Sequence, residues 1–181
     1  MNEVFPIDAD TLGTLRPLNK VVFSLGANIG DTLETLQSAV NRLAETPNLV
    51  VVAVSPVYLT KAVDMVDQPD FHNIIVLAES TLEPLTLLER AQAIELAYGR
   101  ERGVPKGPRT LDIDLIQVGR RESHTDQLTL PHPRAHERAF VLRPWLDVDP
   151  GATLPQGPVN ALLADLGTDG IQPIDAHIDK P

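Results

Sequence analysis

The chain has 181 residues, 43% of them hydrophobic, which is enough for one domain of ordinary size that needs no disulfide or metal to fold. It lacks cysteine, which excludes disulfide scaffolds, thiolate metal sites and cysteine nucleophiles, and its formal net charge of −10 argues against nucleic acid as a partner. Its longest strongly apolar run, residues 49–54, is too short to span a bilayer, and its acidic start is unlike a secretory signal. We therefore expect a cytoplasmic monomer that acts on small molecules, with neither a membrane nor nucleic acid as a partner.

The first part of the chain predicts an extension, a strand, a helix and a second strand. Residues 1–19 show no sustained periodicity and are expected to be a poorly ordered extension. The apolar run 21–25 predicts a strand, and Asp31 is placed to cap a helix whose apolar residues recur at helical spacing. A Pro-Asn pair ends that helix, and the β-branched run 49–58 predicts the next strand.

The middle of the chain predicts a strand, a helix and another strand. Residues 71–77 are apolar and strand-like, and Pro84 can open a helix because a proline in the first turn loses no needed hydrogen bond. Gly99 ends that helix, and residues 111–118 predict a further strand. The order βαββαβ is that of a ferredoxin-like α+β fold, an antiparallel sheet with helices packed on it.

Short additions follow this core. Residues 129–145 mix proline, histidine and arginine before a short helical stretch, and residues 159–166 are predicted to be helical. Residues 169–181 have little to hold them against a core and are expected to be a tail. We therefore expect a single domain over residues 20–168.

Basic residues are concentrated in one stretch of this acidic chain. Residues 100–143 contain nine lysines and arginines but only six acidic residues, a local charge of +3. Such a concentration favours a small, highly charged anion as ligand, although clustering on a solvated face is the alternative. The chain has neither a P-loop nor a dinucleotide-binding glycine motif, so phosphates would have to be held by side chains and metal.

Two carboxylates in a predicted strand form the most informative motif. Asp112 and Asp114 alternate with apolar residues, so both project from one face of the strand. Carboxylates that close repel each other unless a cation lies between them, and Mg²⁺ takes one or two protein carboxylates and completes its coordination with water and phosphate. The alternative is an exposed face with two solvated acids, but Arg109 just upstream favours the metal site.

Three other polar residues could contact a nucleotide. Gln92 and Glu95 are three residues apart on the second predicted helix and therefore share a face, although solvated polar positions are the simpler interpretation. His132 stands between two prolines that oppose a helix, so a metal-binding histidine pair is not expected there. We interpret His132 as a hydrogen-bond donor to phosphate.

One amide and two aromatic side chains could bind a flat heterocycle. Asn73 is a polar residue within an apolar strand, so its amide needs a partner, either main chain or the edge of a ring. Phe71 and Phe140 could enclose the two faces of such a ring, although a single phenylalanine most often belongs to the core.

Together these residues belong to separated motifs that resemble the 6-hydroxymethyl-7,8-dihydropterin pyrophosphokinases of folate biosynthesis. The resemblance covers about residues 20–150. The motifs are SLGANIGD at 24–31, DQPDF at 67–71 with Asn73, Gln92 to Glu95, GPRTLDID at 107–114, and LPHP at 130–133 with Arg138 and Phe140. Their order and spacing leave little room for coincidence.

The resemblance implies a ferredoxin-like enzyme that transfers the β,γ-diphosphate of ATP to the hydroxymethyl oxygen of the pterin and releases AMP. It implies two Mg²⁺ ions at Asp112 and Asp114, with catalysis assisted by Arg100, Arg102 and Arg109. The residues that it places around ATP are Gln92, Glu95, Arg100, Arg102, Arg109, Leu115, Thr129, His132 and Arg138. Those that it places in the pterin pocket are Thr60, Val63, Phe71, Asn73, Asp112 and Phe140.

The sequence departs from the family pattern mainly in loops. Lys106 stands where a tryptophan is common, residues 60–64 replace a Thr-Pro-Pro turn, Pro133 replaces a tyrosine, and Gln127 replaces a basic residue. These changes affect loop closure and nucleotide affinity rather than the metal site. Two alternatives are therefore a catalytically impaired regulator of the same fold and another metal-dependent nucleotidyltransferase.

Overall fold

A six-stranded antiparallel sheet runs through the part of the chain that the computed structural model describes, residues 16–62, 68–99 and 110–181. In chain order the strands of that part are β1 (Asn19–Ala27), β2 (Leu49–Val54), β3 (Pro56–Thr60), β4 (Phe71–Ser80), β5 (Asp112–Val118), β6 (Ser123–His124), β7 (Thr129–Leu130), β8 (Thr153–Leu154), β9 (Gly157–Pro158) and β10 (Ile171–His177). The helices are α1 (Thr32–Ala44), α2 (Pro84–Ala97), α3 (Ala139–Val148) and α4 (Val159–Leu166), with a 3₁₀ turn at Ala135–Glu137.

The sheet has the predicted ferredoxin-like topology. Its strand order is β10-β3-β4-β1-β5, and β2 also pairs with β4. Strand β4 lies antiparallel between β1 and the β2–β3 segment, and β1 lies antiparallel between β4 and β5. Each helical connection therefore skips one strand, which is the split βαβ arrangement, and the predicted α+β fold is confirmed.

The helices begin and end where local signals place them. The Asp31 side chain accepts a hydrogen bond from the Glu34 amide at 3.1 Å and so caps α1. Helix α2 starts at Pro84, and Gly99 follows its end with a φ of +71°, a conformation that glycine adopts without strain.

The sheet separates two hydrophobic cores. On one face, Phe23 and Leu25 of β1 are fully buried with the apolar residues of α1 and α2. On the other face, Val22 and Ile75 pack with Trp145 of α3 and with residues of α4. Because neighbouring side chains on a strand point to opposite faces, Ser24 and Gly26 of β1 share the second face with Val22.

The predicted strand at residues 49–58 is interrupted in the structure. Ser55 separates β2 from β3, and its amide donates to the Ile75 carbonyl at 2.9 Å while its hydroxyl accepts from the Ile75 amide at 2.8 Å. The hydroxyl replaces a main-chain acceptor, and the register with β4 changes by one residue between Val54, which is opposite Val76, and Tyr58, which is opposite Asn73. Local β-propensity predicts the extended run but not this irregularity.

The C-terminal segment is not the unanchored tail that the sequence predicts. Strand β10 pairs with β3 at the edge of the sheet, and Ile178 is only 6% exposed within the first core. Its partner strand lies more than a hundred residues earlier, so no local pattern reports the pairing. The predicted N-terminal extension falls largely on residues 1–15, outside the described part, and β1 begins at Asn19. Among the described residues, no helix is long and apolar enough to cross a membrane.

A polar contact joins α3 to the sheet. The Tyr58 hydroxyl of β3 donates to Asp147 Oδ2, and Arg143 Nη2 lies 3.0 Å from Asp147 Oδ1. The Arg143 guanidinium also lies 5.9 Å from the centre of the Tyr58 ring. Burial, reinforced by the hydrogen bond to Asp147, raises the pKa of Tyr58 to about 12.

We expect Tyr58→Phe to lower the free energy of unfolding by about 1 kcal/mol at neutral pH, because the hydrogen bond to Asp147 is lost. An unfolded tyrosine ionises near pH 10, at about its unperturbed pKa, while the folded Tyr58 stays protonated until about pH 12. The unfolded state therefore loses its proton first, and the advantage of the wild type over the variant shrinks as the pH rises through this window. Urea unfolding at several alkaline pH values measures this, and a pH-independent difference would contradict it. Tyr98→Phe is the control, because it removes a different tyrosine hydroxyl and retains Tyr58. This variant should keep the loss of stability at alkaline pH that Tyr58 causes.

Candidate functional site

Two carboxylates lie side by side along β5. Asp112 and Asp114 are half-buried, and they alternate with Ile113 and Leu115, which are both 3% exposed. In the register with β1, Asp112 pairs with Gly26 and Asp114 with Ser24. The two carboxylates therefore project from the second face of the sheet, as the alternation predicts.

A row of three residues crosses this face near the end of β1. Gly26 pairs with Asn73 of β4 on one side and with Asp112 of β5 on the other. Adjacent strands are about 4.8 Å apart, so Asn73 and Asp112 stand about 10 Å from each other across the glycine. A Cβ atom at Gly26 would lie 2.6 Å from Asn73 Oδ1, so only glycine leaves room for this amide.

The Asn73 amide is buried and oriented. It is 5% exposed, and its Nδ2 donates to the Thr60 hydroxyl at 2.8 Å. Phe71 lies two residues earlier on β4 and shares the same face. The structure thus brings together Thr60, Phe71 and Asn73, three of the residues predicted for the pterin pocket, and Val63 lies outside the described residues.

Hydrogen bonds hold both ends of the segment between β3 and β4. Asn28, which is 3% exposed, donates from Nδ2 to Gln68 Oε1 and to the Pro69 carbonyl, both at 3.0 Å. The Ala62 amide donates to Asp70 Oδ1 at 3.3 Å. The end of β1 therefore anchors the chain just before Phe71.

Arg138 lies between the Asp114 carboxylate and an aromatic ring. It stands at the start of α3, where its Nη1 lies 3.5 Å from Asp114 Oδ2. The same guanidinium lies 5.6 Å from the centre of the Phe140 ring. Phe140 is half-buried and packs at the border of the second core, so the helix places a cation and a ring next to β5.

His132 is arranged as a neutral hydrogen-bond donor. Its Nδ1 accepts a hydrogen bond from the Arg134 amide at 3.2 Å, which puts the proton of the neutral ring on Nε2. Burial lowers the pKa of His132, and Arg138 and Arg134 act in the same direction, whereas Asp114 opposes them. The ring therefore stays uncharged at neutral pH and can donate from Nε2.

Some predicted nucleotide contacts lie on other elements. Gln92 and the buried Glu95 belong to α2, which packs on the first face of the sheet beside β5. The Leu115 side chain also lies in the first core, so only its main chain is open to a ligand role, and Thr129 lies on the short strand β7. Arg100, Arg102 and Arg109 lie outside the described residues.

The donor set fits magnesium better than a metal held by protein alone. Within the described ranges, no group of three acidic or histidine side chains could hold a metal ion. Two carboxylates on one strand are, however, the number of protein ligands that Mg²⁺ uses when phosphate and water complete its octahedron. Asp112 and Asp114 therefore suit a metal that arrives with a polyphosphate.

Sequence reasoning missed two residues that shape the site. Gly26 and Asn28 were recognised only as members of a motif, although the first leaves room for Asn73 and the second anchors Gln68 and Pro69. A glycine inside a buried strand is a signal of close approach by another group, and it could have identified Gly26.

Comparisons with known proteins agree with one another. Residues 22–150 match the family described as 7,8-dihydro-6-hydroxymethylpterin-pyrophosphokinase (HPPK). The chain is 43% identical over 166 residues to the 2-amino-4-hydroxy-6-hydroxymethyldihydropteridine pyrophosphokinase of Mycobacterium tuberculosis, covering 82% of this chain and 85% of that protein. It is 38% identical over 156 residues to the enzyme of the same name from Pseudomonas aeruginosa, covering 86% of this chain and 96% of that one.

A solved structure shares the fold. The crystal structure of wild-type Plasmodium falciparum HPPK-DHPS with SDX-DHP superposes with a TM-score of 0.63 at 14% identity. The match covers 84% of this chain and 45% of that chain, so this chain spans about half the length of the solved protein.

We expect Gly26→Ala to destabilise the fold by about 1–3 kcal/mol, because its methyl group would displace the buried Asn73 amide. Gly151→Ala is the matched control, since a Cβ at Gly151 meets nothing within 4 Å. Urea unfolding of both variants measures the difference. Equal stabilities of the two variants would show that the site has room for a side chain between Asn73 and Asp112.

Proposed function

Because the chain belongs to the 7,8-dihydro-6-hydroxymethylpterin pyrophosphokinase family and is a diphosphotransferase of folate biosynthesis, we propose that the second face of its sheet binds both substrates. The supporting observation is the row formed by Asn73, Gly26 and Asp112. It sets an amide suited to a heterocycle edge about 10 Å from a carboxylate suited to a metal, on a floor without side chains between them. The enzyme acts as a monomer on two small molecules, ATP and 6-hydroxymethyl-7,8-dihydropterin.

The reaction transfers the terminal two phosphates of ATP as one group. The pterin hydroxymethyl oxygen forms a bond to the β-phosphorus, the bond between that phosphorus and the bridging oxygen of the α-phosphate breaks, and AMP leaves. The hydroxyl proton is released. Such transfers depend on positioning of the reactants and on neutralising the charge of the phosphoryl oxygens.

Asp112 and Asp114 would hold two Mg²⁺ ions through their carboxylates, with phosphate and water completing the coordination. When bound, the metal supplies a Lewis acid that neutralises phosphate charge. Arg138 lies beside Asp114 and balances that carboxylate before the nucleotide binds. Asp112 belongs to the same row as Asn73, so it is the carboxylate nearer to the proposed pterin pocket and to the hydroxymethyl group.

ATP would lie at the β5 edge of the sheet. His132 donates from Nε2 to a phosphate oxygen, Arg138 contributes its guanidinium, and Thr129 and the Leu115 main chain complete this side. Gln92 and Glu95 lie on the opposite face of the sheet. Because β5 is the edge strand, one extended nucleotide that passes around this edge can contact residues on both faces of the sheet. Arg100, Arg102 and Arg109 would complete the phosphate site by family resemblance.

The pterin would bind between β4 and α3. The second Nδ2 hydrogen and the Oδ1 of Asn73 remain to recognise the edge of the ring, while Thr60 fixes the orientation of the amide. Phe71 and Phe140 would enclose the ring faces, and Val63 would line the pocket by family resemblance.

We expect Asp112→Asn and Asp114→Asn each to lower turnover at least about 100-fold while the protein stays folded, because each removes a metal ligand from a half-buried position. The measurement is AMP release with the pterin alcohol present, across a Mg²⁺ titration. Asp126→Asn, which removes one exposed acidic charge from the turn between β6 and β7, is the control with normal turnover.

Full activity in excess chelator, or in either active-site variant, would refute this metal site. Product analysis also tests the reaction itself. A diphosphorylated pterin with AMP supports the proposal, free pyrophosphate would mark a nucleotidyltransferase, and binding without turnover would mark an impaired regulator.

We expect Phe140→Ala to weaken pterin binding about three- to tenfold, because it removes a ring that stacks on the pterin. The affinity for an ATP analogue should fall less, because Phe140 acts on the nucleotide only through its contact with the Arg138 guanidinium. Calorimetric titration with each ligand measures the two affinities. Leu146→Ala is the control, because it also removes a partly buried side chain of α3 from the second core. If Phe140→Ala weakens both ligands equally, Phe140 serves the core rather than the pterin.

A further inference from the structure

The C-terminal strap, residues 168–181, lies directly against the predicted pterin pocket. Ile171 of β10 pairs with Thr60 of β3, and the Lys61 amide donates to the Gly170 carbonyl at 3.0 Å. These contacts lie at the end of β3, where the chain leaves the sheet. The main chain of Thr60 and Lys61 is therefore held on its outer side by the strap.

Thr60 is also the residue that orients the pocket amide. Its hydroxyl accepts the hydrogen bond from Asn73 Nδ2 at 2.8 Å, and its main chain pairs with Phe71 on β4. Thr60 thus lies between β10 and β4. A shift of its backbone would move the acceptor that fixes the Asn73 amide.

The far end of the strap is anchored at a second place. Ile178 is 6% exposed in the first core, and the Asp179 amide donates to Gln37 Oε1 of α1 at 2.8 Å. Gln37 Nε2 donates in return to the Asp179 carbonyl at 3.0 Å. The strap is therefore tied to the sheet edge at one end and to helix α1 at the other.

Strand β3 depends on this support because its own pairing with β4 is short. The register between them includes only Tyr58, Leu59 and Thr60. Without β10, β3 would be an edge strand with unpaired main-chain groups next to a loop. Local opening of such an edge costs little free energy compared with global unfolding.

We propose that the C-terminal strap is a positioning element for pterin binding, which acts by holding Thr60 and through it the Asn73 amide. This proposal rests on the proposed pterin pocket. The nucleotide side does not share the dependence, because Asp114 and Arg138 lie at the β5 edge, on the far side of β4 and β1. Loosening the strap should therefore weaken the binding of the pterin and not that of the nucleotide.

The test compares Ile178→Ala and Gln37→Ala, which loosen the strap, with Leu49→Ala. Leu49 is 5% exposed in the same core as Ile178 but lies at the other end of the sheet, opposite Ser80. We expect the strap variants to bind the pterin alcohol about three- to tenfold more weakly, the effect of misaligning one hydrogen bond. Calorimetric titration in the presence of Mg²⁺ and a nonhydrolysable ATP analogue measures this, and the affinity for the analogue itself stays unchanged.

Hydrogen exchange gives a second readout that does not depend on ligand. The Lys61 amide should exchange faster in both strap variants and normally in Leu49→Ala, because its acceptor belongs to the strap. If Ile178→Ala does not fold, Gln37→Ala alone decides, since it removes only hydrogen bonds made near the surface.

The variant Asn73→Ala tests the pterin pocket independently of the strap. If Asn73→Ala binds the pterin normally, the pocket itself is assigned wrongly and the strap proposal falls with it. If Asn73→Ala weakens binding while the strap variants bind normally, the pocket stands and the strap proposal is overturned. Equal weakening in Leu49→Ala and the strap variants would likewise overturn it, by showing a general loss of stability.

Discussion

The missing side chain at Gly26 is the constraint on which the proposed substrate-binding face depends. The glycine lies on β1, between Asn73 of β4 and Asp112 of β5, and any Cβ there would lie 2.6 Å from the Asn73 amide oxygen. Strand β1 thereby gives up side-chain packing at this position. In return, the face keeps an open floor between the Asn73 amide and the Asp112 carboxylate.

The open floor exists because helices cover only part of this face. Val22, Ile75 and Leu77 are buried under α3 and α4, where Trp145 is fully buried. Beyond them, the row at Gly26 carries polar groups. The same sheet thus supplies a dry core and a polar site side by side, and α3 forms the border by bringing Arg138 and Phe140 to it.

Charge at this border is balanced before any ligand binds. Arg138 lies 3.5 Å from Asp114, and burial together with the nearby arginines keeps His132 neutral. A neutral histidine with its proton on Nε2 donates to phosphate without adding to the positive charge. Carboxylates and N–H donors thus lie next to each other at this border.

Local pattern determined most of the secondary structure and the family. Asp31 caps α1 and Gly99 follows α2 because such signals act within one helical turn, and Asp112 and Asp114 share a face because side chains alternate along a strand. The motifs around these residues were enough to identify the pyrophosphokinase family, which the comparisons confirm.

Only the tertiary structure decided which of these residues meet. The clash at Gly26 depends on the register between β1 and β4, and the pairing of Ile171 with Thr60 joins strands more than a hundred residues apart. Ile174, Ala176 and Ile178 alternate with polar residues, which is a strand signal, but the alternation does not say which sheet edge the strand joins. Register and edge pairing are set by packing between distant segments, and a pattern read along one segment carries no information about its partner.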